Sequence, residues 1–298
     1  MKRDLKLFLL LIPVWVLSSC SSSRVTMHTL RKEIGQEFSS QKGIFAVAFK
    51  DLSTGRGLRI NDTIPFHAAS TMKTPVLIEV YKQSAEGKFS LSDSVAIKNE
   101  FKSIVDGSSY QLNPADDSET ELYKHIGEKR TIQFLVYQMI IVSSNLATNL
   151  IIELVDAKNV TQTMRELGAK DIRVLRGVED GKAFERGMNN TTTARDLKIV
   201  FEKIAKGETI NPVASRDMLK ILLDQHFNEI IPAGLPAGVK VAHKTGSITG
   251  VQHDSGIVFL PDGRKYVLVL LSKNLVDEKA AIRTMANVSA LIYQYMSR

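Results

Sequence analysis

The alternation of strand-like and helix-like hydrophobic patterns is the feature that most constrains how this chain can fold. Two strand-like segments come early and three come late, and the stretch between them, about 70–206, has mostly helical periodicity. A helix is predicted at each end of the series, over 25–38 and 277–296. The predicted strands are 44–49, 57–60, 239–244, 256–260 and 265–271, and the clearest internal helices are 71–85, 131–142, 147–155, 193–206 and 218–223.

This order predicts an α/β (α+β) fold in which both ends of the chain contribute to one antiparallel five-stranded sheet. The terminal helices would flank the sheet, and the helical block would form a second, all-helical lobe. We expect a single domain over 20–298, with an α/β lobe at about 24–69 and 210–298 and a helical lobe at about 70–209. Residues 104–121 are polar and rich in turn formers, which predicts a surface loop.

Residues 1–19 have the pattern of a secretory signal peptide. A basic start precedes an apolar run over 7–17, which is too short to span a bilayer because spanning takes about 20 residues. The run leads into Leu17-Ser18-Ser19-Cys20, which resembles a bacterial lipobox and contains the only cysteine of the chain. We expect lipidation of Cys20 and an exported protein anchored to a bacterial membrane, facing the periplasm. An ordinary signal peptide with a chance cysteine is the alternative.

Composition and charge argue against several other classes of protein. The chain is 44% hydrophobic and 24% charged, as is usual for a globular protein. Its net charge of +7 is modest, and no block of five or more Lys or Arg is present, so no nucleic-acid partner is expected. The six histidines lack the spacing of a zinc site, and we expect neither a metal nor an organic cofactor. A monomer is the default expectation.

Ser70-Thr71-Met72-Lys73 is the first motif that could carry chemistry. It opens a predicted helix, where residues three apart share a face, so the Lys73 amine can reach the Ser70 hydroxyl. A neighbouring amine can accept the hydroxyl proton and activate a nucleophile. The spacing alone is weak evidence, since Ser39-Ser40-Gln41-Lys42 has it too and is predicted to be a surface turn.

Ser143-Ser144-Asn145 is the second motif, and it interrupts a strongly apolar helical pattern. Polar side chains buried there without partners would cost roughly 1–3 kcal/mol each, so they either cap helices or line a cleft. Lys244-Thr245-Gly246 is the third motif and ends a strand-like run. A lysine and a hydroxyl beside a glycine suit the binding of a substrate carboxylate at a strand edge, because glycine allows close approach to the backbone.

The three motifs together, in this order and in these contexts, resemble the serine penicillin-recognising superfamily, and class A β-lactamases most closely. The resemblance covers nearly the whole chain after residue 19 and implies a β-lactamase/transpeptidase-like fold. It implies that Ser70 is the acylated nucleophile, that Lys73 is its proton acceptor, and that Ser143 passes a proton to the leaving nitrogen.

The same resemblance implies the residues that bind substrate. Asn145 would hold the side-chain amide of the substrate, and Lys244 and Thr245, beside Gly246, would bind its carboxylate. The backbone N–H groups of Ser70 and Ser247 would form the oxyanion hole, in which one donor contributes about 3 kcal/mol.

Hydrolysis of the acyl-enzyme needs a base, and the resemblance implies a glutamate on a loop after the helical lobe. Glu179 is the candidate, with Asp180 and Glu185 as competing carboxylates. Asn149, one helical turn beyond Asn145, resembles the asparagine that anchors this loop to the lobe.

The chain departs from the class A pattern at three places near these residues. Ser144 stands where class A enzymes typically have Asp, Ala183 stands where the family has an Asn that positions water, and Arg176 is shifted relative to the usual arginine. These departures bear on turnover more than on acylation.

The sequence therefore predicts a serine hydrolase that opens β-lactams through a Ser70 acyl-enzyme, with water activated by Glu179. A penicillin-binding D-Ala-D-Ala peptidase has the same three motifs and is the main alternative. A lipoprotein that binds β-lactams without turnover is the second alternative. The third is a hydrolase of this fold that acts on another ester or amide, with a pocket reshaped by residues 104–121.

Overall fold

A computed structural model describes residues 26–298. The predicted signal peptide and Cys20 lie outside this range. The helices are α1 (Met27–Ser39), α2 (Lys73–Ala85), α3 (Ile132–Ile141), α4 (Asn145–Val155), α5 (Ala157–Glu166), α6 (Gly181–Glu185), α7 (Ala194–Lys206), α8 (Pro212–Leu223) and α9 (Glu278–Met296). The strands are β1 (Ile44–Asp51), β2 (Gly57–Ile60), β3 (Phe66–His67), β4 (Ser94–Ala96), β5 (Phe101–Lys102), β6 (Ser109–Tyr110), β7 (Lys129–Thr131), β8 (Thr191–Thr192), β9 (Lys240–Ile248), β10 (Val251–Phe259) and β11 (Lys265–Lys273).

The main sheet has five strands in the order β2-β1-β11-β10-β9, and every pairing is antiparallel. The two strands from the start of the chain therefore join the three from its end, which confirms the predicted fold class. Within the described range no helix is both long enough and apolar enough to cross a membrane.

Both faces of the sheet are buried, which explains why its strands are apolar over most of their length. In β1, Ala46 and Ala48 face the helices of the middle of the chain, whereas Phe45, Val47 and Phe49 face the opposite core. Helices α1 and α9 cover that second face with buried side chains such as Leu30 and Met285. The alternation of side chains across a strand is therefore preserved even though both sides are apolar.

Several local predictions needed correction. The strand predicted over 256–260 begins at Val251, and the helix predicted over 218–223 begins at Pro212. The helix predicted over 71–85 begins as a 3₁₀ helix, Ala69–Met72, and becomes α-helical at Lys73. Pro75 then occupies the first turn of α2, where its missing N–H needs no partner. Helices α5 and α6 were not predicted; α5 is mostly polar and buries Ala157, Val160, Thr163 and Met164, and α6 has only five residues.

Candidate active site

Two cavities meet at Ser70, Asn145 and Ser247 and together form one cleft. The first, of about 410 Å³, is lined by β9 with Thr245, by β10, by the segment before β9 with Phe227 and Ile230, and by Asp116 and Ser118. The second, of about 440 Å³, lies toward the segment that carries Glu179. The cleft thus brings together residues from all three sequence motifs and the candidate base.

Ser70 lies in the 3₁₀ helix and lines both cavities. The residue before it, Ala69, has φ +44°, a left-handed conformation that is uncommon for a residue with a side chain. Such backbone strain is found preferentially at functional sites. The strand β9 lies directly against this turn: a Cβ added at Gly246 would be 3.0 Å from the backbone nitrogens of both Ser70 and Thr71.

Lys73 is completely buried, and its amine donates to groups of the second motif rather than to the Ser70 hydroxyl. The Nζ atom lies 2.7 Å from the Ser143 carbonyl oxygen, 3.1 Å from Ser143 Oγ and 3.0 Å from Asn145 Oδ1. Burial lowers the pKa of Lys73 to about 7, although the charges of Asp117 and Glu179 raise it. The amine can therefore lose its proton near neutral pH.

Ser143 Oγ accepts hydrogen bonds from two buried lysines. One is Lys73, described above. The other is Lys244 of β9, whose Nζ lies 3.0 Å from Ser143 Oγ and 3.0 Å from the Thr245 carbonyl oxygen. Burial and the neighbouring Lys73 lower the pKa of Lys244 well below its ordinary value. Because both lysines act as donors, the Ser143 hydroxyl proton is available to a group in the cleft.

The register of the sheet directs the Ser247 backbone N–H to the outer edge of β9. Ser247 pairs with Gln252 of β10. The Gln252 N–H and carbonyl both face β11, where the N–H donates to Ser272 Oγ and the carbonyl accepts from the Ser272 hydroxyl. A residue of an antiparallel strand presents its N–H and carbonyl to the same side, so this is a non-hydrogen-bonded pair. Since β9 is an edge strand, the Ser247 N–H is available beside Ser70.

Glu179 lines the cleft, and its carboxylate is held by two donors. Asn145 Nδ2 lies 3.0 Å from Oε1, and the Asn113 backbone N–H donates to Oε2 at 3.2 Å. Burial raises the pKa of Glu179, and Asp117 and Asp116 raise it further, whereas the two hydrogen bonds lower it. The residue has φ +61°, a second left-handed conformation at this site.

The competing carboxylates are placed differently. Asp180 is buried and accepts hydrogen bonds from Ser103 Oγ and from the Ile104 and Ala183 backbone N–H groups. It therefore caps α6 and anchors a loop. Glu185 is exposed at the end of α6.

Asn149 attaches the backbone next to Glu179 to α4. Its Oδ1 accepts from the Val178 N–H at 2.7 Å, and its Nδ2 donates to the Val178 carbonyl at 3.1 Å. A Cβ at Gly177 would overlap Asn149 Oδ1, so this contact needs glycine there. Arg176 is buried and donates to the carbonyl oxygens of Met188 and Gly177.

Residues 103–118, which we call the cleft loop, contact the site in ways that were not predicted from the sequence. Besides the Asn113 contact, Asp117 is buried and accepts hydrogen bonds at the start of α4. Tyr110 donates to the Val178 carbonyl at 3.3 Å. The turn composition of 104–121 predicted a loop that could reshape the pocket, but no local pattern indicates which tertiary partners its side chains meet.

The residues described contain no group of three or more His, Cys, Asp or Glu that could hold a metal ion. A serine at a strained turn, two buried lysines that share one hydroxyl, and an edge strand with a directed N–H define a serine hydrolase site. On this fold they define the serine β-lactamase and penicillin-binding type of protein.

Comparison with known proteins agrees with this class. The chain belongs to the beta-lactamase enzyme family, whose model matches residues 29–296. A β-lactamase of Bacteroides uniformis is 25% identical over 307 aligned positions, which cover 96% of this chain and 98% of that protein.

Two solved structures are similar over nearly their whole length. The β-lactamase of Sphaerobacter thermophilus is 26% identical with a TM-score of 0.77, covering 90% of this chain and 97% of that one. The structure of PBP-A is 28% identical with a TM-score of 0.78, covering 91% of this chain and 97% of that one.

Proposed function

We propose that the protein is a class A type β-lactamase, which opens the β-lactam amide through an acyl-enzyme on Ser70. The observation that carries this proposal is the arrangement around Ser143 Oγ, where two buried lysines meet beside Ser70. The membership in the β-lactamase family supports it. A variant of PBP-A solved as an acyl-enzyme complex with penicillin G, in a chain 28% identical to this one, supports the acylation step.

Acylation begins when Ser70 Oγ attacks the lactam carbonyl carbon. Lys73, neutral at its lowered pKa, accepts the Ser70 proton, directly or through water. The N–H groups of Ser70 and Ser247 stabilise the negative oxygen of the tetrahedral intermediate. The carbon–nitrogen bond then breaks, Ser143 gives its proton to the nitrogen, and Lys73, within 3.1 Å of Ser143 Oγ, replaces that proton.

Substrate is oriented by groups on both sides of the cleft. Lys244 and the Thr245 hydroxyl bind the carboxylate of the β-lactam, whose charge favours the ammonium form of Lys244. Asn145 holds the side-chain amide of the substrate. Deacylation follows when Glu179 takes a proton from water, the hydroxide attacks the ester carbon, and Ser70 recovers its proton as the ester bond breaks.

A penicillin-binding D-Ala-D-Ala peptidase is the second candidate, favoured by one observation. Both oxygens of Glu179 already accept hydrogen bonds, and Ala183 has no amide with which to position a water. In this case the acyl-enzyme formed with a β-lactam would persist.

The test is an intact-mass time course of the purified protein with excess benzylpenicillin. We expect an adduct that forms and then disappears as the drug is consumed, and no adduct in Ser70→Ala. In Glu179→Gln the adduct should persist, because loss of a general base slows its step by about 10²–10⁴-fold. Glu185→Gln, which removes an exposed carboxylate from the same segment, is the matched control and should behave as wild type.

An adduct that persists in the wild-type protein would replace the β-lactamase proposal with a peptidase or a binding protein without turnover. No adduct and no loss of drug would contradict both and leave a hydrolase of another ester or amide.

We also propose that the protein is exported and held by a lipid on Cys20 at a bacterial membrane, facing the periplasm, as a monomer. The lipobox-like sequence supports this location. Labelling with a radioactive fatty acid, lost in Cys20→Ala, is the expected result, and equal labelling of both proteins would contradict it.

A further inference from the structure

Asp117 of the cleft loop is placed at the N-terminus of α4, where the second motif ends. Its two carboxylate oxygens lie 2.9 and 2.8 Å from the Asn145 backbone nitrogen, and Oδ2 lies 3.0 Å from the Leu146 nitrogen. The side chain is buried, with 8% of the residue exposed. A carboxylate at a helix N-terminus satisfies free N–H groups and is favoured by the helix dipole.

Tyr123, in the 3₁₀ helix Glu121–His125 that follows the cleft loop, helps to hold this carboxylate in place. Tyr123 donates its hydroxyl to Asp117 Oδ2 at 2.9 Å, and the Glu119 backbone N–H donates to Oδ1 at 3.2 Å. Burial and the charge of Asp117 raise the pKa of Tyr123, so that its hydroxyl keeps its proton and remains a donor. Four donors therefore determine the orientation of the Asp117 carboxylate: the Tyr123 hydroxyl and the backbone N–H groups of Glu119, Asn145 and Leu146.

The helix that Asp117 caps carries the amide that connects Lys73 to Glu179. Asn145 Oδ1 accepts from Lys73 Nζ, and Asn145 Nδ2 donates to Glu179 Oε1, each at 3.0 Å. The position of the Asn145 backbone thus decides where both contacts lie. Ser144 has no carboxylate, and its hydroxyl accepts instead from the Ala147 N–H.

We propose that Asp117 is a positioning residue for acylation, because from the cleft loop its carboxylate fixes the end of α4 that carries Asn145. It holds the Asn145 backbone in place through hydrogen bonds to the Asn145 and Leu146 N–H groups, and its carboxylate and that of Glu179 are the two acidic groups whose charges act on Lys73. This inference rests on the proposed function.

Several charged groups surround Lys73 and contribute to its ionisation. Burial lowers the pKa of Lys73, and the charges of Asp117 and Glu179 raise it by less. Lys244 of β9 shares Ser143 Oγ with it, and Asp254 of β10 acts on Lys244. Loss of the Asp117 charge should therefore lower the pKa of Lys73 while the other charges stay unchanged.

The test compares the acylation rate of Asp117→Asn with that of wild type, by intact mass after rapid mixing with benzylpenicillin, from about pH 5 to about pH 9. The plateau rate should fall by up to about a hundredfold, because a small misplacement of Asn145 costs that much. The acid limb of the profile should move to lower pH, because a lower pKa makes Lys73 neutral at a lower pH. Glu121→Gln, which removes an exposed acid paired with Lys124, is the matched control and should change neither.

A plateau within about twofold of wild type would overturn the proposal. A fall in the plateau without any movement of the acid limb would also overturn it, because that result indicates a structural role alone. If Asp117→Asn does not fold, Tyr123→Phe decides. Because it removes one hydrogen bond and leaves the Asp117 charge, acylation should slow severalfold while the acid limb stays that of wild type, and either a wild-type rate or a moved limb would overturn the proposal. A wild-type protein that never forms an adduct would instead refute the proposed function.

Discussion

The lowered pKa values of the two lysines at this site follow from burial more than from their neighbours in the sequence. Lys73 and Lys244 lie 171 positions apart in the chain and donate to the same hydroxyl of Ser143. Removing an ammonium group from water disfavours its charge, and a second ammonium nearby disfavours it again. A lysine that is an ordinary cation in the unfolded chain thereby becomes a base near neutral pH.

This lowered pKa predicts how acylation depends on pH. In the proposed mechanism the neutral amine accepts the Ser70 proton, so acylation should rise with pH through about pH 7, the pKa of Lys73, and then level off. Lys73→Arg should be slow at every pH because arginine remains protonated. The rate of adduct formation with benzylpenicillin, measured across this range, checks the prediction. A wild-type rate that stays constant down to about pH 5 would show that another group accepts the proton.

At the residue scale, the sequence predicted which residues meet and not how they meet. The spacing of Ser70 and Lys73 predicted a contact between their side chains, yet the Lys73 amine donates to Ser143 and Asn145. Helical spacing fixes the face on which a side chain lies. The partner it selects depends on the neighbouring helices, which the spacing does not describe.

At the scale of elements, the site depends on how closely β9 approaches the 3₁₀ helix of Ser70. Gly246 lies between them, and its missing side chain leaves space beside the backbone nitrogens of Ser70 and Thr71, which the proposed oxyanion hole requires. The third motif was predicted at the end of a strand, but it lies inside β9, on the edge of the sheet.

Gly246→Ala should therefore impair acylation more than folding. The added Cβ would be 3.0 Å from the Ser70 and Thr71 nitrogens, so the turn or the strand must shift by a few tenths of an ångström. We expect acylation to fall by about tenfold or more, since one oxyanion donor contributes up to about 10³ in rate. The adduct rate and a thermal melt check this together.

Gly35→Ala is the control for this substitution. Gly35 is exposed in α1 with no atom within 4 Å of an added Cβ, so alanine should stabilise the helix by about 0.5–1 kcal/mol and leave acylation unchanged. Equal acylation rates for Gly246→Ala and wild type would contradict the prediction.

Element boundaries followed the sequence where hydrophobic periodicity was strong. Strand β2 has the predicted bounds, and α9 begins one residue after the predicted start. Helix α5 was missed because its residues are mostly polar and its stability comes from packing a few buried side chains, such as Val160, against neighbours. Tertiary burial outweighs weak local preference in such segments.

For the molecule as a whole, the buried lysines should reduce stability near neutral pH. The pKa of Lys73 is about 7 in the folded protein and 10.5 without burial, so the unfolded chain binds more protons between these values. Stability should therefore rise with pH across this window, by about 1.4 kcal/mol per pH unit from this group. The lowered pKa of Lys244 acts in the same direction.

Lys73→Met tests this at the level of the whole fold. The free energy of unfolding of the variant, relative to wild type, should be most favourable near pH 7 and should decline as the pH approaches about 10. Lys82→Met is the control on the same helix, because Lys82 pairs with Glu166 and its pKa is raised. Chemical denaturation at several pH values measures both. A difference between Lys73→Met and wild type that does not vary with pH would contradict the prediction.

The sequence alone determined the order of strands and helices, the antiparallel sheet shared by both ends of the chain, and the three motifs. These features depend on periodicity and spacing, which are local. Only the tertiary structure decided that Asn113 and Asp117 of the cleft loop contact Glu179 and Asn145. Those contacts join residues 28 and 66 positions apart through hydrogen bonds in a buried cleft. No repeating pattern encodes such a pairing, because its energy arises only when distant segments exclude water together.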